Sequence, residues 1–482
     1  MKLCGLTLFG TSLLVACAGS PSELARPEFD TWMPEEYRQV EGLSAVPTGD
    51  HPDTPGTELS LDDGESGIDI SLHVVNPQAR RIGLFETLEI ASIEGLDARI
   101  ADERVVQLEA ERDIANAAFY PRLSVGTGVY REEGRTQGNA GLLFDVNRQN
   151  ATVGGRIDLV FDWGDARYNL RASSHRLDAS LAERKVTVAR LIRDAAWFYF
   201  DLIEAHALEA ITTQALENAR ELVEHEATRF ENGAGLEVDL LRARSHEAGM
   251  LRSLAIAEAQ IEDASRRLGL LLGIDTLLIP ADSDLREMIL VHERDPENLV
   301  DLAVANHPEV HRTRALVLAA REGELSSKRG WLIPELILSA GYGGLGFNYD
   351  DLYSREVYTA ALQWDVGFGE FSNERRASAQ RREAELDAER ARREVAAAVR
   401  RAELGVRTAG RAIEASIAEH SAAEKTSELA VVRHANGAGL LIEVMEADLN
   451  YRRASAALVQ SITAHNRAQY ELLAATGGVP AN

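Results

Sequence analysis

The sequence predicts a mostly α-helical protein with a small β part, built from two copies of one structural unit. A segment that begins at Arg229 returns at Arg433, 204 residues later (433 − 229), and both copies contain Asn-Gly-Ala-Gly-Leu. Each copy lies between two long runs rich in Ala, Leu, Arg and Glu, which are residues that favour helix. Because internal repeats determine the architecture of a chain, we expect both halves to carry the same series of helices and strands.

Proline positions and the repeat together divide the chain. Prolines crowd the region before residue 83, mixed with acidic residues, glycine and serine, and this composition is typical of an extended leader. The predicted segments are a signal peptide (1–16), a leader (17–83), a first repeat (84–273), a linker (274–296), a second repeat (297–478) and a C-terminal tail (479–482).

The start of the chain indicates export. Met1 and Lys2 precede an apolar stretch that is too short to span a bilayer and that ends in Leu-Val-Ala-Cys-Ala-Gly-Ser around Cys17. These residues resemble a bacterial lipoprotein signal, which implies cleavage before Cys17, acylation of that cysteine and sorting to the outer membrane. The alternative is an ordinary signal peptide with an incidental cysteine.

Helical runs of two lengths are predicted. The long runs cover 165–231 and 370–435, and the short runs form the pairs 84–118 with 237–272, and 297–331 with 441–475. Two short runs together contain about 70 residues, near the length of one long run, and at 1.5 Å per residue either amounts to about 100 Å. The lengths therefore predict a tall, two-layered helical column in which two short helices stack end to end beside each long one.

Four strands are predicted between the helices, at 123–130, 152–161, 336–343 and 357–366. In the second of them polar and apolar residues alternate, which gives one polar and one apolar face. Strands of about ten residues with aromatic ends are typical of a transmembrane β-barrel. A small soluble sheet is the alternative.

Composition excludes several function classes. The net charge of −26 argues against nucleic-acid binding, which needs a basic surface. The carboxylates are dispersed over charged helices, without a paired general acid and base, so we expect neither an enzyme nor a cofactor. His307 and His311 have the spacing of a helical metal pair, but Pro308 places them at a helix start, and no metal site is predicted.

Several motifs together resemble the TolC/OprM family of outer membrane efflux proteins. They are the lipobox, Phe-Tyr-Pro-Arg-Leu at 119–123, Leu-Val-Phe-Asp-Trp-Gly at 159–164, Ala-Asn-His-Pro-Glu-Val at 305–310 and the two Asn-Gly-Ala-Gly-Leu turns. The resemblance covers 84–478. It implies a homotrimer in which each chain gives four strands to one shared 12-stranded β-barrel and its long helices to a periplasmic α-barrel.

The resemblance also implies roles for particular residues. The turns farthest from the membrane would contact a periplasmic adaptor protein, and they comprise Arg229, Asn232, Gly233, Ala234, Gly235, Leu236, Arg433, Asn436, Gly437, Ala438, Gly439 and Leu440. Glu443 and Glu446, one helical turn apart, and Asp239 would line the periplasmic aperture. The Ala-Gly pairs replace the bulkier residues usual in the family at this point of the turn.

The implied function is the outer membrane channel of a tripartite efflux system. In this hypothesis the trimer is a passive exit duct for small molecules, and its partners are an adaptor, an inner membrane pump and outer membrane lipid. Two alternatives remain open, namely an outer membrane channel for type I protein secretion and a periplasmic coiled-coil scaffold lipoprotein without a pore.

Overall fold

The structure is a computed structural model that describes residues 67–69, 79–137, 141–281, 284–287, 290, 296–364, 367 and 369–478. The predicted signal peptide, the acylation site Cys17 and the tail at 479–482 lie outside these residues. Within them the chain is mainly helical, with one four-stranded sheet and two small two-stranded sheets.

Two long helices and six shorter ones follow one another along the described chain. They are α1 (Leu84–Ile93), α2 (Leu96–Ala117), α3 (Trp163–Glu231), α4 (Glu237–Leu272), α5 (Pro296–Asn306), α6 (Pro308–Arg329), α7 (Glu370–Ala435) and α8 (Leu441–Ala475). The two long helices, α3 and α7, contain 69 and 66 residues. None of the helices in these parts of the chain combines the length and apolarity needed to cross a membrane.

Two predicted helices are each divided in two. The run at 84–118 breaks between α1 and α2, where Gly95 has non-helical backbone with ψ at 138°. A side-chain carbon there would collide with the carbonyl oxygen of Ala91, so the break requires glycine. The run at 297–331 breaks between α5 and α6, where Pro308 is the first residue of the new helix. There the ring Nδ1 of His307 accepts a hydrogen bond from the backbone N–H of Glu309 at 3.1 Å. His307 therefore caps a helix, in agreement with its position before Pro308.

The short helices pack in succession along the long ones. Near the sheet, α2 contacts α3 through an Arg104–Glu183 ion pair, and α6 contacts the start of α3 through Ser326 and Asp165. Farther along, α4 and α8 lie against the second half of α3. This arrangement is the two-layered column that the helix lengths predict.

The main apolar core lies midway along the column, where α1, α3, α4 and α8 meet the short strands. These strands are β1 (Gly67–Asp69), β2 (Arg80–Ile82), β5 (Leu278–Pro280) and β6 (Asp284–Arg286). Strand β2 pairs with β5 and β1 with β6, which ties the start of the first repeat to the linker region.

Apolar residues at steps of seven, three and four along α3, among them Leu181, Val188, Leu191 and Leu202, predict a packing seam on this helix. That prediction is only partly correct. Val188, Leu191 and Leu202 are buried, whereas Leu181 is 40% exposed. A seven-residue repeat drifts by about 20° per heptad around a straight helix, so one stripe does not keep facing the same neighbour. The seam consequently leaves the core near the sheet end of the helix.

The four-stranded sheet is antiparallel throughout, in the order β3–β4–β7–β8. Its strands are β3 (Arg122–Gln137), β4 (Leu143–Phe161), β7 (Glu335–Gly346) and β8 (Tyr353–Gln363). Strands β3 and β4 extend well beyond their predicted ends and form a long hairpin. In this sheet β3 and β8 are the edge strands.

The register separates an apolar face from a polar one. Leu123 pairs with Ile157, Ile157 with Ala340, and Ala340 with Tyr358. Directly paired residues project from the same face, so this row is apolar. The adjacent row, which projects from the other face, contains Ser124, Arg156 and Gly341. The alternation predicted for β4 therefore continues into β3 and β7, whereas on β8 the polar row ends in Val357.

The apolar face has a limited height. It follows β4 from Ala151 to Phe161, eleven residues that span about 35 Å at 3.3 Å per residue. Above it the β3–β4 hairpin becomes charged, with a 3.0 Å ion pair between Arg135 and Asp145. An apolar band of limited height on a strand with alternating apolar and polar residues is the pattern of a lipid-facing strand.

The junction of sheet and column is tightly packed. A side-chain carbon at Gly164 would lie 2.6 Å from the carbonyl oxygen of Gly330, so only glycine lets α3 approach α6 here. Close by, Glu324 of α6 accepts hydrogen bonds from Lys328 and from Ser378 of α7, both at 2.8 Å, and pairs with Arg381 at 2.7 Å. Hydrogen bonds from Lys328 and Ser378 lower the pKa of Glu324 to about 2.

Candidate functional site

The first repeated turn connects α3 to α4 at one end of the column. Gly233 has a φ of 71°, a left-handed conformation that favours glycine. The backbone N–H groups of Ala234 and Gly235 both donate to the carbonyl oxygen of Arg229, at 2.8 and 2.9 Å. The side-chain amide of Asn232 donates to the carbonyl oxygen of Thr228 at 2.9 Å. These bonds satisfy carbonyl groups that the end of a helix leaves without partners.

The second turn, between α7 and α8, repeats this geometry. Gly437 has a φ of 70°, and the N–H of Ala438 donates to the carbonyl oxygen of Arg433 at 2.9 Å. Asn436 donates to the carbonyl oxygen of Val432 at 2.8 Å. Leu236 and Leu440, which immediately precede α4 and α8, are equally exposed in the two copies. The repeated sequence thus builds two tips with the same glycine conformation and equivalent helix-end hydrogen bonds.

The residues assigned to the aperture lie just beyond the turns. Glu443 Oε2 is 3.7 Å from an Arg433 nitrogen, and Glu446 is exposed one helical turn farther along α8. In the first repeat, Asp239 Oδ1 is 3.2 Å from an Arg242 nitrogen. The chain therefore places an uncompensated carboxylate at Glu446 and balances Asp239 with a cation.

A cluster of polar side chains connects the two tips. We call His225, Glu226 and His434 the tip cluster. Glu226 Oε1 lies 2.8 Å from Nε2 of His434 and 3.1 Å from Nδ1 of His225, although the Glu226 side chain is only 2% exposed. Arg229 Nη1 is 3.3 Å from the same oxygen. Burial raises the pKa of Glu226, but hydrogen bonds from His434 and His225 and the charge of Arg229 outweigh it and leave the pKa below its ordinary value.

The tip cluster borders a cavity of about 810 Å³ between the ends of α3, α4, α7 and α8. His246 and Asp448 also line the cavity, and His246 Nε2 is 3.5 Å from Asp448 Oδ2. The walls also contain apolar groups, among them Leu222, Val431 and Met445. The cavity is thus an amphipathic cleft directly behind the tips.

None of the tip-cluster residues was identified in the sequence analysis. Glu226 and His434 are 208 residues apart and belong to different repeats, so spacing alone does not relate them. The available signal was a difference between the copies, because His434 occupies the place of Phe230. A buried imidazole where the first copy has an apolar ring needs a polar partner.

Together, the two long helical hairpins, the antiparallel sheet at one end and the paired tips at the other define a helical-column membrane channel subunit. A family model described as outer membrane efflux protein matches residues 96–274 and 299–478. The chain belongs to the outer membrane efflux protein family. It is the outer membrane exit duct of an efflux system, with its helical column in the periplasm.

Similar sequences come from several bacteria. The chain is 24% identical over 408 residues to the pyoverdine export outer membrane protein OpmQ of Pseudomonas aeruginosa, covering 81% of this chain and 84% of that protein. It is also 24% identical over 282 residues to nodulation protein T of Rhizobium leguminosarum bv. trifolii, covering 57% of each.

Solved structures share the fold. The outer membrane channel CmeC of Campylobacter jejuni superimposes with a TM-score of 0.71 at 17% identity, over 89% of this chain and 94% of CmeC. The open-state MtrE channel of Neisseria gonorrhoeae gives a TM-score of 0.69 at 16% identity, over 88% of this chain and 97% of MtrE. At these identities the likeness establishes the architecture.

Proposed function

We propose that three copies of this chain close into one channel that conducts small molecules passively across the outer membrane. The observation that carries this proposal is the sheet, in which an apolar face of limited height ends laterally at two edge strands, β3 and β8. In hydrocarbon, an open edge leaves backbone groups unsatisfied at a cost of several kcal/mol each. Pairing β8 of one copy with β3 of the next removes both edges.

The number of copies follows from barrel geometry. Two chains would give eight strands, and side chains fill the interior of a barrel of that size. Three chains give twelve strands, which leave room for a channel. The polar face, with its serine, glycine and arginine residues, then lines the lumen.

The two tips are the proposed docking surface for a periplasmic adaptor that connects the duct to an inner membrane pump. They are at the end of the column opposite the sheet, and their turns are exposed. Because Ala234, Gly235, Ala438 and Gly439 carry small or no side chains, we expect contacts through Arg229, Arg433, Leu236 and Leu440. Removing both arginines should weaken adaptor binding without altering assembly.

Glu443, Glu446 and Asp239 are proposed to surround the periplasmic aperture. In a trimer, Glu443 and Glu446 contribute six carboxylates to one ring, which attracts cations. The ion pairs Arg433–Glu443 and Arg242–Asp239 moderate this charge, so Glu446 is the dominant acidic group.

Acylation of Cys17 is proposed as a second membrane attachment. Each buried CH₂ of an acyl chain contributes about 0.8 kcal/mol, whereas the closed barrel already holds the trimer in the bilayer. Replacing Cys17 with Ala, together with a conventional cleavage site, should therefore change maturation and sorting more than membrane residence. Recovery of an assembled, soluble periplasmic mutant would contradict this.

Small-molecule efflux is the cargo class we propose, and the similarity to a pyoverdine export protein supports it. A deletion strain should become sensitive to toxic small molecules and regain resistance with the intact gene. Loss of a secreted protein from the culture medium, with unchanged sensitivity, would favour the secretion alternative instead.

Native mass spectrometry of the detergent-extracted protein tests the assembly. We expect a stable species of three chains. A folded, predominantly monomeric protein would remove the argument from the open edges and would favour the pore-free scaffold.

A further inference from the structure

We propose that the tip cluster is a binding site for a divalent transition-metal ion of the Zn²⁺ type. His225 Nδ1, Glu226 Oε1 and His434 Nε2 lie within 4.8 Å of one another. Imidazole and carboxylate are ligands that Zn²⁺ accepts in proteins, and three such ligands with one open position form a common zinc arrangement.

The spacing of the donor atoms fits such an ion. Tetrahedral coordination with bonds of about 2.0–2.1 Å places neighbouring donors roughly 3.3 Å apart. The distances from Glu226 Oε1 to His434 Nε2 and to His225 Nδ1 are 2.8 and 3.1 Å. These two distances need to lengthen by only a few tenths of an ångström, and the third pair, His225 Nδ1 and His434 Nε2, lies within 4.8 Å.

The hydrogen bonding of His434 prepares its Nε2 atom for a metal. Its Nδ1 atom is 3.1 Å from the carbonyl oxygen of Gly439 and donates to that oxygen. A ring that also donates to Glu226 carries a proton on each nitrogen, and removal of the Nε2 proton leaves a lone pair that points towards Glu226. Ligating histidines commonly donate their second N–H to a backbone carbonyl in this way, which fixes the tautomer and ring orientation.

Glu226 Oε1 and an unprotonated His434 Nε2 are both electron-rich, and at 2.8 Å they need a positive charge between or beside them. Either a second proton on His434, the nearby Arg229 or a metal ion supplies it. Arg229 Nη1 lies 3.2 Å from His434 Nε2 and 3.3 Å from Glu226 Oε1, so it competes with an incoming cation. Replacing Arg229 with Gln should consequently tighten metal binding.

An ion can reach the cluster from solvent. The side chain of His225 is 42% exposed, whereas those of Glu226 and His434 are buried. The adjoining cavity also contacts His225 and His434 and offers space for a water molecule in the fourth position. Access from one side and enclosure on the other are the features of a site that exchanges its metal.

Bound metal would join the two repeats at the tips. His225 and Glu226 are near the end of α3, and His434 is in the last turn of α7. Because the ion contacts both helix ends directly, it would resist their separation. This effect concerns the same tips that the proposed adaptor contacts, but the binding itself does not depend on the adaptor or on trimer formation.

The test is a metal titration of the full-length protein, purified with a tag that contains no histidine and stripped with a chelator. We expect one Zn²⁺ per chain by calorimetry, and Co²⁺ in its place should give the intense visible bands of tetrahedral coordination. His225→Ala removes an exposed ligand with little risk to folding, and it should weaken binding at least 100-fold, more than the roughly 10–100-fold typical of outer-sphere changes. Glu226→Gln should have a comparable effect.

Matched controls come from histidines outside the cluster. His246→Gln, across the same cavity, and His311→Ala, near the start of α6, should leave both the stoichiometry and the Co²⁺ spectrum unchanged. The proposal is overturned if the wild type binds less than one ion per chain at saturation. It is also overturned if His225→Ala, with wild-type circular dichroism and native mass, binds Zn²⁺ as the wild type does.

Discussion

Gly233 and Gly437, 204 residues apart, adopt the same left-handed conformation, with φ values of 71° and 70°. A Cβ at either position would meet open space, since no atom lies within 4 Å of it. A decrease in stability on substitution there therefore comes from the left-handed backbone conformation and not from a steric clash. The two glycines are therefore a direct probe of how the repeated turns are built.

Replacing Gly233 or Gly437 with Ala should destabilise the protein by about 1–2 kcal/mol, because a side chain penalises left-handed backbone. We expect equal decreases in the thermal midpoint for the two variants. Gly249→Ala is the matched control, since Gly249 lies inside α4 with no atom within 4 Å of its Cβ position. Alanine should stabilise that helix by roughly 0.5–1 kcal/mol. Destabilisation of all three variants alike would contradict the turn geometry.

Glu324 should make stability acid-sensitive. Its folded pKa of about 2 is below the ordinary value of 4.5, so its contribution is complete above pH 4.5 and is lost as pH falls towards 2. In Glu324→Gln, the free energy of unfolding at neutral pH should decrease by roughly 1–3 kcal/mol. The thermal midpoint of this variant should also change less than that of the wild type between pH 4.5 and 2. Glu374→Gln, at a more exposed carboxylate near the same lysine, should retain the wild-type pH profile.

His206 should make the stability of the fold depend on pH in a higher range than Glu324 does. It is buried in α3, and burial lowers its pKa from 6.5 to about 4. The folded protein therefore resists protonation of this ring, while the unfolded chain accepts the proton below pH 6.5. Stability should fall as pH decreases from 6.5 to 4 and then level off for this group. His206→Leu should remove that component, whereas the more exposed His175→Leu should not.

The proposed acidic aperture is tested by Glu443→Gln with Glu446→Gln, which keeps size and removes charge. In single-channel recordings under a salt gradient, we expect lower cation preference and weaker block by divalent cations added on the periplasmic side. The difference in cation preference between the wild type and the double mutant should decrease towards 1 M salt, where the Debye length is about 3 Å. Glu383→Gln, on an exposed part of α7, is the control. Unchanged ion selectivity in an assembled double mutant would show that both residues belong to an ordinary solvated helix face.

Local patterns predicted most of the fold. The ends of α4, α7 and α8 coincide with the predicted runs. Each of these helices has a repeated turn at one end and a nearby glycine at the other, namely Gly273, Gly369 or Gly477. The face alternation of β4 followed from a two-residue period. The break at Gly95 was missed because apolar and charged residues continue across it without a change in helix-forming composition. Pro308, in contrast, had already indicated a helix start inside the run at 297–331.

The tip cluster could not be predicted in the same way. His434 and Glu226 are brought together by the lateral packing of two hairpins, and no periodic signal records which faces of α3 and α7 meet. Similarly, the closeness of Gly164 and Gly330 depends on the crossing of α3 and α6. Such contacts between repeats require the tertiary structure.

Single-channel recording of the purified protein in a planar lipid bilayer tests the central claim most directly. If three chains close a twelve-stranded barrel around a polar lumen, the species with the mass of a trimer should insert and give discrete, cation-preferring conductance steps. Correctly folded protein of that mass that binds the bilayer but never conducts would contradict the account.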